Sequence, residues 1–278
     1  MSIRQKLILL FFSPVIIFSL FSVVSAGPEA SKSAKTGTLI GRVIIKGAGP
    51  MAGGYVMLYD AQAGPPPMPD KYDRIPDISR DIDAEGRFKV DLVPGKYYLG
   101  AVKRLSGERI GALQPGDHVF RSVDDRGDPK EYIVKAGEVI DAGNDLVAIP
   151  LPPKDGSSRA VTTAIEGVVI DTEGSPVENA VVLAFVNPTL KGKPLFSSDK
   201  TDKEGKYILR ITQGTYYLRV RNSFAVGPPE PGQIVGYYGE GTPVPIVVKE
   251  GELKKGVDFK VILFPGRGPF SGTGPQTQ

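Results

Sequence analysis

Thr201-Asp202-Lys203-Glu204-Gly205-Lys206-Tyr207, followed by Gly214-Thr215-Tyr216-Tyr217-Leu218, is the stretch whose reading decides the fold. An aspartate side chain can bond the backbone a residue or two ahead, and glycine enters the left-handed region without a Cβ clash, so Asp202–Gly205 reads as a tight turn. Tyr207-Ile208-Leu209-Arg210-Ile211 then alternates with a period of two. That is the signature of a half-buried strand. After Gly214, Tyr216, Leu218 and Val220 share one face of a strand, and Tyr217, Arg219 and Arg221 share the other. One face suits a core and one suits water, as in an antiparallel sheet.

The same unit occurs earlier. Asp83-Ala84-Glu85-Gly86-Arg87-Phe88 and Gly95-Lys96-Tyr97-Tyr98-Leu99 precede their counterparts by 119 residues (202 − 83 and 214 − 95). Gly41 and Pro50 match Gly167 and Pro176 at an offset of 126, and Val134–Glu138 matches Val248–Glu252 at 114. Loops shorten between the copies while strands keep their places, as expected when core elements diverge more slowly than connections. The chain is a β-module written twice.

The expected division follows. Residues 1–26 are a signal peptide, with Arg4 and Lys6 ahead of the apolar run Leu7–Val24 and a small-residue cleavage site at Val24-Ser25-Ala26. The alternative is an uncleaved membrane anchor. Residues 27–37 are a flexible leader, 38–149 the first sandwich, 150–162 a Pro/Gly/Ser linker, 163–264 the second sandwich and 265–278 a disordered tail. Within the first module, Arg87–Leu92 and Lys96–Val102 read as a central hairpin. Ser106–Asp128 reads as a long irregular excursion, and Gly64–Pro69 as an exposed, partly polyproline loop that serves as a stiff connector or a docking loop.

Of the 278 residues, 41% are hydrophobic and 23% charged, an ordinary balance for a globular chain. Losing Arg4 and Lys6 with the signal peptide takes the net charge from +3 to +1. Such an even balance, with no block of like charge, argues against nucleic acid as a partner. The chain has no cysteine, so neither disulfides nor thiol chemistry are available.

These residues resemble the carboxypeptidase regulatory-like family, a transthyretin-like (prealbumin-like) β-sandwich. The second copy carries the resemblance in Gly167, Val168, Val169, Gly174, Pro176, Ala180, Val181, Thr201, Asp202, Gly205, Tyr207, Gly214, Tyr216 and Leu218. The first copy matches at Asp83, Gly86, Phe88, Gly95, Tyr97 and Leu99 and lacks the threonine before the aspartate. The resemblance implies an all-β protein of two tandem Greek-key sandwiches. It implies no activity, since such modules also occur without any peptidase part.

A zinc carboxypeptidase needs at least two histidines and a glutamate, and His118 is the chain's one histidine. It reads as a solvated loop residue. Asp81-Ile82-Asp83-Ala84-Glu85-Gly86 imitates the start of a calcium loop, but Leu92 stands where the closing glutamate belongs. No cofactor or metal is expected, and no catalytic group. The candidate binding surface is aromatic: Tyr98 and Tyr217, turned outward by alternation, with Tyr237 and Tyr238.

The expectation is an exported bacterial protein, periplasmic or extracellular, that is not an enzyme. It would act as an interaction or structural module whose partner is an envelope or extracellular protein. The alternatives are a polysaccharide-binding protein using the tyrosine-bearing face, and an accessory subunit of an envelope enzyme or filament. Contact with a membrane would come only through an uncleaved signal segment.

Overall fold

The computed structural model describes residues 35–107, 113–153, 163–222 and 229–266. The expected signal peptide lies outside them, as do most of the leader, the linker and the tail. The described residues form β-strands, turns and loops, with no helix among them.

In the first half the strands are β1 (Gly37–Ile45), β2 (Gly49–Pro50), β3 (Tyr55–Asp60), β4 (Ile78–Asp81) and β5 (Arg87–Leu92). They continue with β6 (Gly95–Lys103), β7 (His118–Arg121), β8 (Glu131–Val134), β9 (Val139–Asp141) and β10 (Leu146–Pro150). One layer is built on β1, which pairs antiparallel with β2 and β5 and parallel with β9 and β10. The other runs β4-β3-β6, with β7 and β8 sharing the far edge of β6. A β10–β7 pairing joins the layers along one side.

The second half repeats the plan with β11 (Ala164–Ile170), β12 (Val181–Phe185), β13 (Phe196–Ser197), β14 (Lys206–Arg210) and β15 (Gly214–Arg221). It ends with β16 (Ile234–Tyr237), β17 (Ile246–Val248), β18 (Leu253–Lys254), β19 (Phe259–Lys260) and β20 (Ile262–Leu263). Here β11 carries β14, β18 and β19, facing a layer ordered β13-β12-β15-β16-β20.

The expected central hairpin is not one. β5 pairs with β1 and β6 with β3, so the chain crosses from one layer to the other at Val93-Pro94. β14 and β15 separate in the same way, onto β11 and β12. Phe88, Val90 and Leu92 enter the core from one side and Tyr97, Leu99 and Ala101 from the other, all buried. A hairpin would have put both rows in one layer and left the opposite wall bare. Pro94, which has no N–H, cannot extend a ladder through the link.

Ser106–Asp128 also differs from expectation, because it contains β7. Val119 is buried there, and β7 bridges β6 and β10. His118 is therefore a half-buried strand residue rather than a solvated loop one, paired in register with Lys103 and Pro150. A strand of four residues among charges gives little periodicity to read.

The Asp-x-x-Gly turn is made four times. Asp202 Oδ1 accepts the N–H groups of Glu204 (3.0 Å) and Lys206 (2.8 Å), and Asp83 Oδ1 those of Glu85 (3.0 Å) and Arg87 (2.7 Å). Asp124 and Asp171 do the same over Arg126 and Asp128, and over Glu173 and Ser175. Thr201 is buried beside its turn, accepting the Ala180 N–H (2.9 Å) and donating to the Val177 carbonyl (2.7 Å). Ile82, also buried, stands at the equivalent position of the first copy.

A pH dependence follows. The Arg87 N–H, with further help from the Arg87 and Glu85 groups, holds the Asp83 carboxyl below its usual range; the Arg126 N–H does the same for Asp124. A carboxyl depressed by folding stabilises the fold above its unfolded pKa, and the contribution is lost as pH falls through the folded pKa. The urea midpoint is therefore expected to fall between pH 5 and pH 3, and to fall less in the double variant Asp83→Asn/Asp124→Asn. An equal fall in both proteins would refute this origin.

The candidate site between the two sandwiches

The outer faces of two equivalent strands decide where a site can form. In β3 all of Tyr55, Val56, Met57, Leu58 and Tyr59 are buried, and in β12 all of Val181 to Phe185. Val56 and Leu58 enter the first core and Val182 and Ala184 the second. The alternate residues form separate clusters on the outer faces: Tyr55, Met57 and Tyr59 with Val102 and Val119, and Val181, Leu183 and Phe185 with Leu190. A strand that is apolar on both faces needs cover on both.

Residues 61–77 of the first half supply part of the cover, Ile75 on the second cluster and Arg74 on Tyr59, while Leu113 and Leu151 pack on the first cluster. Gly64–Pro69, expected to be exposed, is half-buried, because this segment docks on the second sandwich. Ile75 N–H donates to the Leu195 carbonyl (3.0 Å) and Ser197 N–H to the Asp73 carbonyl (3.1 Å), and Arg74 bridges antiparallel to Phe196. The segment thus adds a short strand to the β13 edge, supplying partners to otherwise unpaired backbone groups. Tyr72 enters the second core and stacks edge-on against Phe196 at 5.3 Å, while Met68 packs against the same cluster. Arg210 Nη2 reaches Asp73 Oδ2 at 3.2 Å.

Arg74 holds the segment in shape. Its side chain is 0% exposed and ion-paired to Asp77 at 2.9 Å. It donates to the carbonyls of Asp60 (2.7 Å), Gly64 (3.1 Å) and Pro65, and its guanidinium lies 5.4 Å from the centre of the Tyr59 ring. Burial pushes the Tyr59 phenol well above its ordinary pKa despite the opposing Arg74 charge, so the ring is a neutral wall at any physiological pH.

Between the outer faces lies a cavity of about 440 Å³. Its lining includes Met57, Tyr59 and Gly100 from β3 and β6, and Leu183, Phe185 and Arg219 from β12 and β15. Six basic residues line it (Arg74, Arg104, Arg121, Lys193, Arg219, Arg221) against two acidic ones, Asp70 and Asp73. Arg74 pairs with Asp77, Arg121 with Asp70 at 2.9 Å, and Arg104 with Asp117 at 3.9 Å. Arg219 and Arg221 have no acid partner among the described residues. Arg219 lies 5.1 Å over the Phe185 ring, and burial, with the neighbouring Arg221 charge, weakens its hold on its proton.

The four candidate tyrosines do not form one surface. Tyr98 and Tyr217 lie on the outer faces of their own sheets but are half-buried, packed against the two outer-face clusters. The Tyr98 hydroxyl donates to Glu131 Oε1 at 3.2 Å. Tyr237 is 38% exposed and stands opposite Arg219 in the β15–β16 register. Tyr238 turns inward against the second core, edge-on to Phe259 at 6.1 Å. Arg74, Gly100, Arg219 and Arg221 were not among the candidates. The unbroken apolar runs Tyr55–Tyr59 and Val181–Phe185 were the available signal. Among the described residues no group of three or more His, Cys, Asp or Glu side chains could hold a metal ion.

No protein-family model matches this chain, and no curated protein matches it. Solved structures do. The Bacillus anthracis TIE protein matches at 18% identity over 81% of this chain and 34% of its own, with a TM-score of 0.24. A streptococcal ancillary pilin matches at 14% identity over 82% and 63%, with a TM-score of 0.26. The minor pilin of Streptococcus agalactiae matches at 13% identity over 84% and 99%, with a TM-score of 0.22. The chain thus spans about a third of the first of these and under two thirds of the second.

Proposed function

We propose that this is an exported, non-enzymatic β-sandwich protein, an interaction or structural module of the cell envelope or extracellular space. The observation that supports it most is the docking of residues 72–75 on the β13 edge. That contact ties two sandwiches into one body with backbone bonds, an aromatic pair and an ion pair, without any disulfide. A stiff, doubled sandwich presents surfaces at a fixed spacing, which suits a scaffold or a connector. The basic and apolar N-terminal run supports export.

The test is fractionation of native cells after cross-linking, with sequencing of the protein's N-terminus. The expected result is a periplasmic or extracellular protein that begins near Gly27 and is cross-linked to an envelope protein. Cytoplasmic residence with the N-terminus intact would overturn the export. Hydrolysis of peptides by the purified mature chain would overturn the non-enzymatic reading.

A further inference from the structure

The two walls of the cavity come from strands that the duplication makes equivalent. At the offset of 119, Tyr98, Gly100 and Val102 on the outer face of β6 correspond to Tyr217, Arg219 and Arg221 on β15. The inward residues between them stay apolar, Leu99 with Leu218 and Ala101 with Val220. The core therefore keeps its chemistry in both copies. The outer face changes from glycine and valine to two arginines, and both lie in the cavity lining.

Two guanidinium groups two residues apart on one strand face sit roughly 7 Å apart at their Cα atoms. Each is half-buried, and neither has an acid partner among the described residues. Partly desolvated charge of one sign is costly unless an opposite charge meets it. Met57, Tyr59, Leu183 and Phe185 give the cavity apolar or neutral wall beside its charged residues, and 440 Å³ is within the range of roughly 300–1,000 Å³ typical of small-molecule sites.

We propose that this cleft binds a small amphiphilic carboxylate, its apolar body against Met57, Tyr59, Leu183 and Phe185 and its carboxylate held by Arg219 and Arg221. A guanidinium fork matches a carboxylate in plane and in charge, which an ammonium does not. Gly100 leaves room on the opposite wall: a Cβ there would meet only ordinary contacts, the nearest being the Phe120 carbonyl at 3.4 Å.

The experiment is calorimetric titration of the full mature chain with sodium decanoate, and with decyltrimethylammonium as a probe of equal length and opposite charge. Decanoate is expected to saturate one site, while the cation does not bind there. Arg219→Gln/Arg221→Gln should weaken decanoate by about tenfold or more. It should also leave the melting temperature of the ligand-free protein unchanged or higher, since neither arginine has an acid partner among the described residues. Gly100→Leu, which fills the cavity from the first sandwich, should abolish decanoate binding with both arginines intact. Equal binding of the two probes, no decanoate binding by the unaltered chain, or undiminished binding in either variant overturns the proposal. Unfolding of the double arginine variant also overturns it, because the pair would then be structural.

Discussion

Replacing Arg74 with methionine is expected to lower stability by about 3–5 kcal/mol and to release residues 61–77 from the second sandwich. The side chain is wholly buried and satisfies three backbone carbonyls and the Asp77 carboxylate at once. Methionine keeps much of the volume and removes every donor. The carbonyls of Asp60, Gly64 and Pro65 would then be left unmet beside a carboxylate with no counter-charge. The Tyr59 ring would also lose its cation. The measurement pairs urea unfolding with limited proteolysis. In the unaltered chain, cleavage within 61–77 is expected only upon global unfolding. In the variant it should become the fastest cleavage, and unfolding should separate into two transitions as the sandwiches uncouple. A variant with a single transition and a protected segment would show that Tyr72 and the β13 pairing hold the segment without Arg74.

The second large effect is expected at Gly205. Its φ is +71°, and a Cβ would lie 2.4 Å from the Val169 carbonyl oxygen. Gly205→Ala therefore carries a left-handed penalty of about 1–2 kcal/mol together with a backbone clash that cannot relax by rotamer change. The contact at stake is the Val169 N–H bond to the Gly205 carbonyl (2.9 Å), which anchors the turn to β11. About 2–4 kcal/mol is expected in all. Gly174 separates the two causes: its φ is +87°, but a Cβ there meets nothing within 4 Å. Gly174→Ala should cost only about 1 kcal/mol, the conformational part. Urea midpoints of the two variants measured side by side test this, and equal losses would mean that the close approach at Val169 contributes nothing. Gly86 repeats the geometry in the first copy, 2.4 Å from the Val43 carbonyl oxygen at a φ of +81°.

The duplication was legible because turn chemistry and core alternation are local. Asp202 and Gly205, and Asp83 and Gly86, need each other at fixed spacing to close a turn, and the buried positions of β5, β14 and β15, with the inward ones of β6, follow from alternation alone. Pairing was not legible from the same residues. Alternation shows that Phe88 and Tyr97 both point inward, yet it is silent on whether they do so from one layer or from two facing ones. The short link through Pro94 is compatible with either until the partners β1 and β3 are placed. β7 was missed for a related reason: its partners β6 and β10 are distant in sequence, and those pairings, rather than its own four residues, make it a strand.

The sequence by itself determined the all-β class, the repeat, the position of the main strands and the sidedness of the cores, because each rests on residue type at short spacing. The tertiary structure alone decided the use of Gly64–Ile75. By composition this is a proline-rich loop, and in the fold it is the extra strand and aromatic plug of a sandwich more than a hundred residues away. The tertiary structure also decided that Tyr98 and Tyr217 are half-buried, and that Arg219 and Arg221 stand together at one cleft. The physical reason is the same in each case. Burial of an outward-facing residue depends on what a distant part of the chain lays over it, and no period within a strand encodes that.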